Sequence, residues 1–150
     1  MASAIVSALH VLALALGLAT VYLRGRALKG PLDAAGLRRL FTADSLWGVA
    51  AFVWLGTGLL RAFGGLEKGS QYYLTSNLFW TKMILFAFIL VLETWPMVTF
   101  IRWRMIRARG LWPDTSRARA LYVVNHVEMA LVVVIVFVAS FMARGFGHGS

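Results

Sequence analysis

Cysteine is absent from this chain. Its absence excludes disulfides, thiolate metal ligands, iron–sulfur clusters and a cysteine nucleophile, and it says nothing about compartment. Acid is scarce: six Asp and Glu stand against fifteen Lys and Arg, for a net charge of +9. Charge of either sign is thin, at 14% of residues, where a soluble domain carries about 25%. No phosphate-binding loop, zinc-protease motif or serine triad occurs, and there is no internal repeat or low-complexity tract. In a soluble protein so basic a balance suggests nucleic acid. In this chain the arginines gather between apolar runs, so they read as topology signals and anionic-lipid contacts, with no nucleic-acid partner.

What is plentiful is apolar sequence, at 60% of residues. Four runs stand out, roughly 4–23, 42–63, 78–100 and 120–143. Each approaches the ~20 residues that a hydrocarbon core of ~30 Å requires. The first is about a full span with no charges before it, so it reads as a span and not a cleavable signal. Short connections predict a single four-span domain over 1–150, an all-α up-down four-helix bundle in a lipid bilayer. Between spans one and two, Leu32, Leu37 and Leu40 lie against Arg38 and Arg39. This predicts a short interfacial amphipathic helix begun by Pro31 and Asp33.

Loop one (Arg24, Arg26, Lys29, Arg38, Arg39) and loop three (Arg102 to Arg119) are strongly basic. Loop two is Gly-rich and its charges are Glu67 and Lys68. The positive-inside rule then places loops one and three in the cytoplasm and both termini in the periplasm of a bacterial inner membrane. Trp47, Trp80, Trp103 and Tyr122 fall near the expected interfaces, as an aromatic belt does.

Few ionisable residues lie within the runs: His10, Lys82, Glu93, His126 and Glu128. A charge at a span centre costs about 2.5–3.5 kcal/mol on insertion scales, so such residues tend to face a bundle interior. At ~1.5 Å of rise per residue, His10 and Lys82 are about 9 and 6 Å deep from the outer side. Glu93 and His126 match in level nearer the inner side, and are expected to pair. Lys82, Phe86, Ile89 and Glu93 share one stripe, as do Ser3, Ser7, His10 and Gly17. Asp44 and Arg61 mark the inner and outer ends of a stripe on span two. Blander roles stand beside these: a hydrogen bond between helices for His10, snorkelling for Lys82, interfacial positions for Asp44 and Arg61. His148, in the C-terminal tail, carries no argument for a role.

Two histidines in a four-helix bundle suggest a b-type haem. The predicted levels of His10 and His126 differ by about 12 Å, against a shared iron. A single-histidine site at the outer layer stays open, with His10 on the iron and Lys82 near or on it. Arg61, at the outer end of span two, is placed to pair with a propionate of such a haem.

The stretch 40–104 resembles a bacterial membrane-protein family known only as a domain of unknown function, the 2214 family. The residues that carry this are Asp44…Trp47-Gly48, Gly56-Thr57-Gly58-Leu59-Leu60-Arg61, Lys68-Gly69…Tyr72-Tyr73, Asn77…Phe79-Trp80…Lys82 and Phe100-Ile101-Arg102-Trp103-Arg104. The resemblance extends over the whole chain and implies four spans and no known activity. More distantly, Ala8-Leu9-His10, Phe79-Trp80-Thr81-Lys82 and Asn125-His126 with Glu128 are similar to stretches of the HemJ-type protoporphyrinogen IX oxidases. That resemblance implies haem b held through His10 as axial metal ligand, with Lys82 as second ligand or propionate partner and as the candidate catalytic residue. The departures are a short chain and a displaced acidic residue, so substrate does not carry over.

The sequence thus points to a haem b or porphyrin-binding redox protein of that layout, and leaves open whether it is an enzyme. The alternative has no cofactor: an accessory or assembly subunit of a larger membrane complex, with a protein partner or a second copy of itself. Proton-coupled transport ranks third, because four spans offer few broken helices.

Overall fold

In the computed structural model, residues 1–65 and 70–146 are described. Glu67, Lys68 and Gly69 of loop two, and His148, lie outside the described residues. The helices are α1 (Ala2–Lys29), α2 (Ala34–Phe63), the short α3 (Ser70–Leu74), α4 (Asn77–Ala108) and α5 (Ala118–Ala143). The four long ones are each apolar enough to cross a membrane. The chain is an all-α, four-helix membrane bundle.

All four helices match the expected spans, but three overrun them. A helix is free to continue past the hydrocarbon, since its backbone is satisfied internally at any depth. Thus α1 runs through Arg24 to Lys29, and α4 through Pro96 to Ala108. The segment expected as a separate interfacial helix is helical and starts where foreseen. Asp33 caps it, its side chain accepting from the Gly36 N–H at 2.7 Å. It is not separate, however: it is the first part of α2, which runs unbroken to Phe63. No residue between 40 and 42 interrupts the backbone ladder, and Leu37 and Leu40 are buried against Phe100 and Trp103.

The helices alternate in direction. The start of α1, the end of α2, the start of α4 and the end of α5 meet at one end, where His10, Arg61, Lys82 and Ser140 line a common cleft. That is the terminal end; the opposite, basic end carries the α1–α2 and α4–α5 connections. In the latter connection Asp114 accepts from the Ser116 N–H at 2.9 Å and its hydroxyl at 3.0 Å. These bonds hold its carboxyl below the usual carboxylate range.

Three apolar layers fill the interior. Tyr73, Phe79, Ala62 and Met142 lie at the terminal end. Trp47, Trp54, Ile89, Val132 and Ile135 fill the middle. Leu37, Leu40, Phe100, Trp103 and Leu121 close the basic end. Outward faces are apolar too: Leu12, Phe52, Ile84, Val91 and Phe137 are all exposed. A surface of that kind suits lipid and not water. Close approach of α1 to its neighbours depends on two glycines. A Cβ at Gly17 would meet Trp47 at 3.0 Å, and one at Gly25 would meet Asn125 Nδ2 at 2.8 Å and His126 Cε1 at 3.0 Å.

Candidate functional site

Polar groups inside the bundle form two layers, and their membership differs from the expected one. The layer toward the basic end is built on Arg24, which is 0% exposed. Its five N–H donors are all used. Nε donates to Asn125 Oδ1 at 2.7 Å. Nη1 donates to Asp44 Oδ1 at 3.2 Å and Glu93 Oε1 at 2.7 Å. Nη2 donates to Glu93 Oε2 at 2.9 Å and Glu128 Oε2 at 2.6 Å. The rings of Trp47 and Phe100 flank the guanidinium, their centroids 5.9 and 5.8 Å from Cζ. Every long helix thus contributes a group to one ion cluster.

Arg104 extends it from α4, donating to Asp44 Oδ2 at 2.9 Å and to the Phe41 carbonyl at 2.8 Å. Asn125 returns a bond to α1, donating to the Val21 carbonyl at 2.9 Å. Three carboxylates therefore face two guanidiniums. Glu128 is fully buried, and its Oε1 meets no donor among the described residues.

The expected pairing of Glu93 with His126 does not occur. Glu93 is held by Arg24 in a two-point fork, and His126 Nδ1 instead meets the Tyr122 carbonyl at 2.8 Å. A guanidinium offers two parallel donors to a carboxylate, which one imidazole cannot match. Sequence reading missed Arg24 because hydropathy falls at that residue and so assigned it to a loop. One signal was available: Gly17, Val21, Arg24 and Leu28 continue the inward face of His10 at helical spacing.

The layer toward the terminal end does bring together the residues singled out. His10, Arg61 and Lys82 line one cleft of about 350 Å³, beside Trp54 and Gly58. All three are half-buried. Lys82 Nζ lies 5.4 Å from the centroid of Phe79, so its ammonium sits over an aromatic face. Trp54 lies 5.8 Å from the His10 ring, tilted by 31°. Its indole N–H is buried and meets no acceptor among the described residues.

The hydrogen bonds around His10 assign its tautomer. His10 Nδ1 and Thr57 Oγ1 are 2.9 Å apart, and Thr57 Oγ1 donates its single proton to the Val53 carbonyl at 2.7 Å. The hydroxyl oxygen therefore accepts from His10, and Nδ1 carries the proton. In the neutral imidazole Nε2 then bears the lone pair. Histidines that ligate metals are held in this way, one nitrogen donating to an acceptor behind.

The two histidines stand far apart. His126 approaches α1 at Gly25. From residue 10 to residue 25 α1 rises about 22 Å at ~1.5 Å per residue, further than the 12 Å expected. A shared iron is excluded. Among the described residues no group of three or more His, Asp or Glu could hold a metal ion.

The family model described as "Predicted membrane protein (DUF2214)" matches residues 2–147. The chain belongs to that family. No curated protein matches it, and no solved structure does.

Proposed function

We propose that this DUF2214 protein binds an amphipathic anion in the cleft at its terminal end, with haem b or another porphyrin bearing two propionates as the ligand. The observation that carries this reading is the convergence of His10, Arg61 and Lys82 on one cleft at membrane depth. Arg61 and Lys82 place two positive charges on the wall of an apolar cleft, which suits a ligand that carries carboxylates. The buried Trp54 N–H meets no acceptor among the described residues and is a donor for such a ligand. In its neutral form His10 has its lone pair at Nε2, the state in which imidazole ligates iron. At about 350 Å³ the cleft is at the small end of ligand sites, and it is open on one side, so a macrocycle extends from it toward lipid.

In this reading His10 would hold the iron, Arg61 would pair with a propionate, and Lys82 would pair with a propionate or also hold the iron. Thr57 keeps the imidazole oriented. When bound, haem supplies a one-electron couple, and the protein contributes ligation, charge pairing and exclusion of water. Such a protein acts as a redox component in a bacterial inner membrane, with both termini in the periplasm. The experiment is a haem titration of the purified full chain. A saturable Soret band, weakened in Arg61→Gln and Lys82→Gln, supports the reading. No Soret band with ample haem sinks it.

An accessory or assembly subunit, alone or as a homo-oligomer, is the second reading. What favours it is the closure of the Arg24 cluster, whose five donors are all spent on the protein itself. On that view the polar groups of both layers serve only to pack the helices.

A further inference from the structure

Two clefts flank the last turns of α1 at the basic end, away from the site proposed above. One, of about 920 Å³, lies toward α2 and is lined by Arg26, Arg38, Arg39 and Thr42, with Leu23 and Leu46 as apolar walls. The other, of about 490 Å³, lies toward α5 and is lined by Arg26, Lys29, Tyr122 and His126. Tyr22, Arg26 and Gly30 line both. The clefts are therefore adjacent and share a guanidinium.

Two arginines of α4 at the same end are held by the protein itself. Arg104 is bound to Asp44, and Arg107 stacks on Trp112 at 4.3 Å and donates to the Leu111 carbonyl. Arg26, Lys29, Arg38 and Arg39 are exposed, and no carboxylate among the described residues pairs with them. Four unneutralised cations around two clefts at a membrane surface create a strong local field for anions. Toward the hydrocarbon the wall becomes apolar, with Leu23 and Leu46 exposed. A phosphate above and acyl chains below match that sequence of surfaces.

We propose that the collar binds one phospholipid carrying two phosphates, a diphosphatidylglycerol, with one phosphate in each cleft and Arg26 between them. A lipid with one phosphate fills a single cleft and leaves the remaining cations of the other, Arg38 and Arg39 or Lys29, uncompensated. Each basic side chain near the surface contributes about fivefold to affinity, so a second occupied cleft gives a marked preference. Tyr22 and Tyr122 add hydroxyl donors at the headgroup level.

The test is thermal unfolding of the full chain in uncharged detergent, titrated separately with diphosphatidylglycerol, phosphatidylglycerol at equal phosphate, and pyrophosphate. The expected result is a rise in unfolding temperature at a concentration of diphosphatidylglycerol about tenfold lower than that needed of phosphatidylglycerol. Arg26→Gln should remove most of that preference. Arg119→Gln, which makes the same charge change at an exposed position outside both clefts, should keep it. Equal potency of the two lipids per phosphate would reduce the collar to general charge attraction and overturn the proposal. So would equal loss in the two variants. A response to pyrophosphate as large as that to the lipid would assign the clefts to a free anion instead.

Discussion

Arg24 shows how a single buried side chain organises this molecule. A buried ion pair adds little net stability over an apolar replacement, but removing one partner leaves the others desolvated and unpaired. Arg24→Gln would leave Asp44, Glu93 and Glu128 facing one another with Arg104 alone. We expect a loss of about 3–5 kcal/mol in reversible unfolding in mixed micelles. Arg24→Lys should also fall short, because three donors on a point charge cannot reproduce a five-donor fork. Glu128→Gln should be mild, within about 1 kcal/mol. It keeps an oxygen for Arg24 and evens the count of charges. A Glu128→Gln loss as large as that of Arg24→Gln would contradict this view of the cluster.

The same residue marks the limit of what could be read in advance. Lys82, His10 and Arg61 are conspicuous because each interrupts or bounds an apolar run, and their common depth follows from rise per residue. Arg24 borders a run too, but it sits among other basic residues and looks like part of a loop. Only its angular position separates it from Arg26. The three carboxylates in the spans were the other clue, since hydrocarbon demands a cation for them and Lys82 lies at the wrong level.

Among the elements, α1 has the tightest fit, with α2 on one side and α5 on another. It comes close to α5 at Gly25, where an added methyl meets Asn125 and His126. Gly48 on α2 has nothing within 4 Å of an added Cβ. Gly25→Ala should therefore cost about 1–3 kcal/mol through overpacking, and should disturb the Asn125 bond to Arg24. Gly48→Ala should be neutral or stabilising by up to about 1 kcal/mol, from helix propensity. Comparing the two unfolding midpoints checks this, and equal effects would contradict it. Helix identity was legible because apolar runs of this length have few other solutions in a bilayer. Helix ends were not, because hydropathy reports where the hydrocarbon stops and not where the backbone ladder does. This is why α2 begins at Ala34 and not at residue 42.

At the scale of the whole molecule the bundle has two chemically distinct ends. One carries the connections rich in arginine; the other carries both termini and the cleft with His10, Arg61 and Lys82. The basic end should face the cytoplasm. A C-terminal alkaline phosphatase fusion should be active and a C-terminal fluorescent-protein fusion dark; the reverse pattern would invert the orientation. Depth then separates the two histidines. Only His10 shares a level with two cations and a buried indole donor, while His126 leans on Tyr122 at a ring distance of 4.0 Å near the other end. The most direct measurement is haem binding by the full chain and by two variants, read at the Soret band. His10→Ala should abolish the band, and His126→Ala should leave its height and position nearly unchanged. Equal loss in both variants, or a band that survives in His10→Ala, would contradict the assignment of the ligand site to the terminal end.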